Sequence, residues 1–165
     1  MTSSNPTVAI LMGSDSDWPV MQKAARVLRD FDIRWEARVL SAHRTPHDCA
    51  QYAEAAAGRG TKVFICGAGM AAHLAGVVAA HTPLPVIAVP CAAKNLDGLD
   101  ALLAMVQMPK GVPVATVAID GAQNAGLLAV QMLALGDAGL MDRFVAYKAE
   151  MAEIGRRKVL PPLDG

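Results

Sequence analysis

Charge is missing over a long part of this chain. Residues 63–93 contain no Asp, Glu, Lys or Arg, a run of 31 in a chain of 165. Charged residues are 18% of the whole, below the roughly 25% of an average soluble domain. A spanning helix needs about 20 consecutive, predominantly apolar residues. This run is broken by Gly67, Gly69 and His73, and then by His81-Thr82-Pro83-Leu84-Pro85. It therefore predicts a buried core, within one chain or shared between copies, rather than a membrane segment. Net charge is absent too. Lys plus Arg is 15 and Asp plus Glu is 15, which excludes the basic face of a nucleic-acid binder and a polybasic membrane surface.

Other absences narrow the chemistry. Residues 1–6 form a short polar arm without the basic and apolar regions of a signal peptide, which predicts a cytoplasmic protein. Cysteine is scarce: Cys49, Cys66 and Cys91 are odd in number, widely spaced and set among apolar residues. They read as small buried thiols in a reducing compartment, not as a disulfide framework. The four histidines lack HxH or HExxH spacing and have no cysteine cluster beside them, so no metal site is expected. There is no GxSxG elbow, and the Gly13-Ser14-Asp15-Ser16-Asp17 loop is neither a Walker loop nor a GxGxxG fingerprint, which leaves serine hydrolysis and ATP or dinucleotide binding without motif support.

What is present is an alternation of strand-like and helix-like segments. Apolar runs at residues 8–12, 34–40, 62–66, 85–89 and 112–119 read as five strands. Helices are expected at 19–31, about 45–59, 71–81, 97–107 and 122–135, with a last helix and tail over about 138–165. Thr45-Pro46-His47-Asp48 has the form of a capped helix start. The second strand is the less apolar one and is expected near a sheet edge. Five successive β–α units predict an α/β fold, a three-layer doubly wound parallel sheet. Right-handed crossovers leave few topologies, and a flavodoxin-like order 2-1-3-4-5 is expected, in a single catalytic domain over 1–165.

In such sheets ligands bind beyond the carboxyl ends of the strands, where strand order reverses. Three unusual segments fall there: Gly13-Ser14-Asp15-Ser16-Asp17-Trp18 after strand 1, Ser41-Ala42-His43-Arg44-Thr45-Pro46 after strand 2, and Gly67-Ala68-Gly69-Met70-Ala71-Ala72-His73 after strand 3. The first offers hydroxyls and backbone N–H groups at a helix start, where phosphate is favoured; helix capping by Ser16 or Asp17 is the plainer alternative. Asp17 suits a ribose diol and would repel phosphate. Arg44 can clamp two phosphate oxygens with its planar fork, or could simply form a surface ion pair. His43 lies beside that cation, which favours an uncharged imidazole able to accept a proton. His73, in the first turn of its helix, is either a core residue or part of a site that Gly67 and Gly69 let a ligand approach.

Together these segments closely resemble one family, the class I N5-carboxyaminoimidazole ribonucleotide mutases of de novo purine biosynthesis. Val106-Gln107-Met108-Pro109-Lys110-Gly111-Val112-Pro113-Val114 and Asn124-Ala125-Gly126-Leu127-Leu128-Ala129 resemble two further signatures, so the match covers about residues 8–135. The resemblance implies a homo-octamer without metal or organic cofactor. It also implies a carboxyl group moved from the exocyclic nitrogen of an aminoimidazole ribonucleotide to ring carbon C4. By motif, Ser14, Ser41 and Arg44, with Ser16 nearby, would hold the 5′-phosphate and Asp17 the ribose. His43 would be the general acid/base, and Gly67, Ala68, Gly69 and His73 would line the pocket around the base. Two positions depart from the usual form of the motif: Met70 stands where a glycine is usual, and Ala75 where a proline is. Direct carboxylation of aminoimidazole ribonucleotide by CO2, the class II chemistry, is the alternative enzyme reading. A flavin- or nucleotide-binding module is the alternative of another kind, with only Trp18, Trp35, Tyr52 and Tyr147 to stack on a flavin.

Overall fold

The computed structural model describes residues 5–163, so residues 1–4 of the expected polar arm and 164–165 of the tail lie outside it. Five parallel strands are ordered β2-β1-β3-β4-β5. They are β1 (Val8–Met12), β2 (Trp35–Val39), β3 (Val63–Gly69), β4 (Val86–Cys91) and β5 (Ala115–Thr116). The order is the doubly wound one expected from the β–α alternation, with β2 at an edge. The helices are α1 (Trp18–Asp30), α2 (Pro46–Ala56), α3 (Leu74–Ala80), α4 (Leu99–Val106), α5 (Ala122–Ala134) and α6 (Ala138–Arg156).

The sheet is covered on both faces, and alternation along each strand divides its side chains between two cores. Val8, Ile10, Val63, Ile65, Ile87 and Val89 pack with α1, α5 and α6. Ala9, Leu11, Phe64, Cys66, Val86 and Ala88 pack with α2, α3 and α4. The charge-free run is β3, α3 and β4, and both strands are buried almost throughout because each has a helical layer above and below. The three cysteines are buried free thiols. Burial pushes Cys49 up, Cys66 well up and Cys91 to about 12, so none is a ready nucleophile.

Four local expectations change. The fifth strand, expected over 112–119, has only two ladder residues. It is an edge strand, and Pro113 lacks the N–H that pairing needs. The chain still runs beside β4, with Val117 N–H donating to Ala88 O at 3.0 Å and Asp120 N–H to Pro90 O at 2.8 Å. α3 begins at Leu74 rather than 71, because Met70 turns into the left-handed region at φ 55°. α4 begins at Leu99 rather than 97, because Asp97 and Gly98 do the same. At the start of α2 the Thr45 side chain makes no capping bond. Its Oγ1 instead accepts from Ser41 N–H at 3.1 Å and donates to Ser41 O at 3.2 Å, which closes the preceding loop.

Candidate active site

The third strand does more than expected. Gly67, Ala68 and Gly69, read from sequence as a loop, belong to β3 and pair in register with Val89, Pro90 and Cys91 of β4. Their small size has a steric cause. A Cβ on Gly67 would overlap the Met21 side chain of α1, and one on Gly69 would stand 3.2 Å from Cys91 O. β3 therefore carries the backbone to the carboxyl edge as a rigid rail, and Met70 makes the turn beyond it.

Around that rail the three segments converge on one cleft of about 590 Å³. All ten residues singled out by sequence come to this edge. Gly67 is buried in β3 behind the cleft, and Ser14, Ser16, Asp17, Ser41, His43, Arg44, Ala68, Gly69 and His73 line it. Strand order decides this: β2, β1 and β3 are adjacent, so the loops that follow them meet.

The first loop is tied by its own polar groups. Ser14 N–H donates to Asp17 Oδ2 at 3.2 Å, and Ser16 N–H donates to Ser14 Oγ at 3.3 Å. A capping box is found here instead of at Thr45, at the 3-10 turn Asp15–Asp17 that leads into α1. Burial raises the Asp17 carboxyl above its ordinary value, against the lowering influence of Ser14 N–H and the Arg44 charge.

The second loop is tied to the first. Arg44 Nη2 donates to Gly13 O at 2.8 Å, and its Nε reaches Ser41 Oγ at 3.5 Å. Ser41 Oγ also accepts from Arg44 N–H at 3.1 Å. Among the described residues Arg44 forms no ion pair, so the surface-pair alternative does not describe it. The guanidinium charge instead faces the cleft and the half-buried Asp17.

The second and third loops meet through two imidazoles. His43 Nε2 lies 2.8 Å from His73 Nδ1, with the rings at 87° and their centroids 4.9 Å apart. His73 is exposed and is not a core residue; it occupies the position before α3 rather than its first turn. At this contact one nitrogen donates and the other accepts, the tautomers deciding which. The pair can be neutral or singly charged with the bond intact. A second charge would set two N–H groups against each other and part the rings. The arrangement can take up or release one proton where the two loops face the cleft.

Three features of the edge were not read from sequence. Ala92 and Ala93, beyond β4, also line the cleft. Asp120, in the left-handed region at φ 55°, accepts Ala92 N–H on Oδ1 at 2.9 Å and fixes that segment. The available signal was position alone, since both segments follow a strand at the same edge. Alanines carry no polar group to draw attention to them.

A family model described as AIR carboxylase matches residues 7–154. The chain belongs to the AIR carboxylase family. The match runs from the residue before β1 nearly to the end of α6, so it includes all three loops of the cleft. N5-carboxyaminoimidazole ribonucleotide mutase of Mycobacterium tuberculosis strain H37Rv is 60% identical over 149 residues, covering 90% of this chain and 86% of that one. The mutase of the same name from Pyrococcus abyssi is 54% identical over 146 residues, covering 88% and 84%. Among solved structures, Treponema denticola PurE superposes with a TM-score of 0.82 at 31% identity, covering 90% of this chain and 92% of that one. AIR carboxylase family membership and the doubly wound architecture thus agree.

Proposed function

We propose that this chain is an N5-carboxyaminoimidazole ribonucleotide mutase, acting as a single catalytic domain. The observation that carries this is the His43–His73 contact at 2.8 Å in a cleft that also presents Ser14, Asp17, Ser41 and Arg44. Arg44 with Ser14, Ser16 and Ser41 holds the 5′-phosphate, the guanidinium supplying charge and the hydroxyls geometry. Asp17 accepts from the ribose hydroxyls. The base then lies over the rail of Gly67, Ala68 and Gly69, within reach of the imidazoles.

The chemistry needs one proton lent and recovered. The bond between the exocyclic nitrogen and the carboxyl carbon breaks, its electron pair stays on nitrogen, and His43 supplies the proton that completes the amine. CO2 is released beside the ring. The electron-rich C4 attacks it and forms the new carbon–carbon bond. His43 takes the proton from C4, which restores the aromatic ring. Proton count and oxidation state are unchanged, so one imidazole serves both steps and the reaction calls for no metal or organic cofactor.

We further propose a cytoplasmic homo-octamer. Leu99, Leu103 and Val106 form a stripe at helical spacing along α4, each 49% to 50% exposed, and Leu96 just before the helix is 56% exposed. Val159, Leu160 and Leu163 of the tail are also uncovered. Apolar area of this kind fits burial against other copies.

The deciding experiment is an absorbance or NMR assay of N5-carboxyaminoimidazole ribonucleotide without ATP or added metal. Conversion to the 4-carboxy isomer is expected, and absence of conversion would sink the proposal. Efficient turnover from aminoimidazole ribonucleotide and dissolved CO2 alone would assign class II chemistry instead. Solution mass tests the octamer.

A further inference from the structure

Among the described residues, four that are not glycine adopt a left-handed backbone: Asp32, Met70, Asp97 and Asp120. Three are aspartates, whose short polar side chains tolerate that region through local hydrogen bonds. Met70 has no such compensation, and a glycine there would carry no strain. Met70 is also the one that lines the cleft. A strained backbone retained beside reacting groups calls for a reason in the side chain it presents.

The composition of the cleft supplies one. Besides Met70, its apolar lining is Ala42, Ala68, Ala71, Ala92, Ala93 and Leu74. The alanines are small, and Leu74 is only 2% exposed. Met70 is 62% exposed and is thus the one long apolar side chain this cleft presents. It follows the rigid end of β3 and precedes His73 by three residues, so it stands on the same loop as the imidazole pair.

We infer that Met70 is the retaining wall of the site. Its side chain closes the open side of the cleft next to the imidazole pair and holds CO2 beside the ring until C4 captures it. This rests on the mutase reading. Released CO2 is neutral and small, and no charged group can hold it. Its loss is slowed only by an apolar surface that leaves no room for water. A methionine suits the task because its unbranched, flexible side chain can admit the nucleotide and then settle over it. Met70 thus positions an intermediate and takes no part in bond making.

The test compares wild type with Met70→Gly and Met70→Leu. Each is given N5-carboxyaminoimidazole ribonucleotide in buffer containing 13C-bicarbonate and carbonic anhydrase. Label in the product carboxylate and free aminoimidazole ribonucleotide are measured per turnover, after subtracting the reaction without enzyme. Met70→Gly should raise both by at least ~3-fold while the KM for the nucleotide changes by less than about twofold. Its Tm should be unchanged or higher, since glycine relieves the backbone. Met70→Leu should restore retention. Equal partition in wild type and Met70→Gly, or Leu behaving like Gly, would overturn the inference alone. Failure of wild type to convert the nucleotide would overturn the mutase reading, and this inference with it.

Discussion

The sheet has two edges, and each carries a cleft of similar size. At the amino edge, about 510 Å³ is bordered by Asp32, Arg34, Lys62, Asp137 and Arg143. At the carboxyl edge, about 590 Å³ is bordered by the three loops of the site. Volume does not separate them, and the amino edge carries more charged side chains, five against Asp17 and Arg44. What differs is what the charges do. Arg143 Nη2 donates to Phe31 O at the end of α1 (3.3 Å), and Asp137 Oδ1 accepts Leu140 N–H to start α6 (3.0 Å). These groups complement helix ends, where carbonyls and N–H groups lack partners. The carboxyl edge has the two imidazoles and a strained methionine, which helix capping does not require, and its half-buried carboxylate both closes the Ser14 capping box and faces Arg44. A parallel sheet also sends the N-termini of its crossover helices to the carboxyl edge, which favours an anion there, whereas the N-terminus of α6 at the amino edge is already capped by Asp137.

Substitutions can break or sharpen this contrast. The largest effect should come from His43→Asn, which keeps the shape but cannot shuttle the proton; kcat should fall by about 10³-fold or more. Nucleotide affinity, measured by calorimetry, should change by no more than severalfold. A fully active H43N protein would end the assignment of this edge. Next, Arg44→Ala should raise the nucleotide KM by ~10–100-fold, the equivalent of about 1.5–3 kcal/mol of charge-assisted hydrogen bonding. An unchanged KM would place the phosphate elsewhere.

Asp17 gives a smaller effect with a defined sign. Burial raises its carboxyl, so it loses its charge at a higher pH than an ordinary aspartate does. As pH falls, affinity for the ribose should begin to decline before an ordinary carboxylate would titrate. Asp17→Asn should weaken binding at neutral pH and flatten that acid limb of the kcat/KM profile. The linkage to folding has the opposite sense. A raised carboxyl is a penalty on the folded state while it is ionised, and the penalty is relieved as pH falls through the folded pKa. D17N should therefore be as stable as wild type at pH 7, or slightly more so. A clear loss of Tm would mean that the bond from Ser14 N–H needs the charged carboxylate and outweighs the cost of its burial.

The smallest effect tests the other edge. Arg143→Ala should cost about 1 kcal/mol, a Tm shift of ~2–4 °C, with kcat/KM within about twofold of wild type. If R143A abolished activity as H43N does, the functional distinction between the edges would be lost.

Much of this was legible without coordinates, and the misses have local causes. Apolar runs and helical periodicity located every strand and helix, because burial on one or two faces imposes those patterns. Element starts were less legible. A left-handed residue at Met70 or Asp97 delays a helix by two or three positions, and no periodicity reports it. The capping signal at Thr45 was misleading, because a hydroxyl that can cap a helix can equally close the loop before it. Ala92 and Ala93 gave no signal, having no polar atoms, and Asp120 was legible only as a turn residue.

By itself the sequence determined the fold class, the strand order and the residues that could carry chemistry. Those follow from short-range patterning, chain handedness and residue type. Only the tertiary structure decided that the imidazoles of His43 and His73, 30 positions apart, meet at 2.8 Å, and that Arg44 reaches back to Gly13. It also decided that Gly67 and Gly69 belong to a packed strand, and that Met70 bears strain in the cleft. The reason is common to all of these. They depend on how closely neighbouring strands and helices approach, a distance that no local pattern encodes.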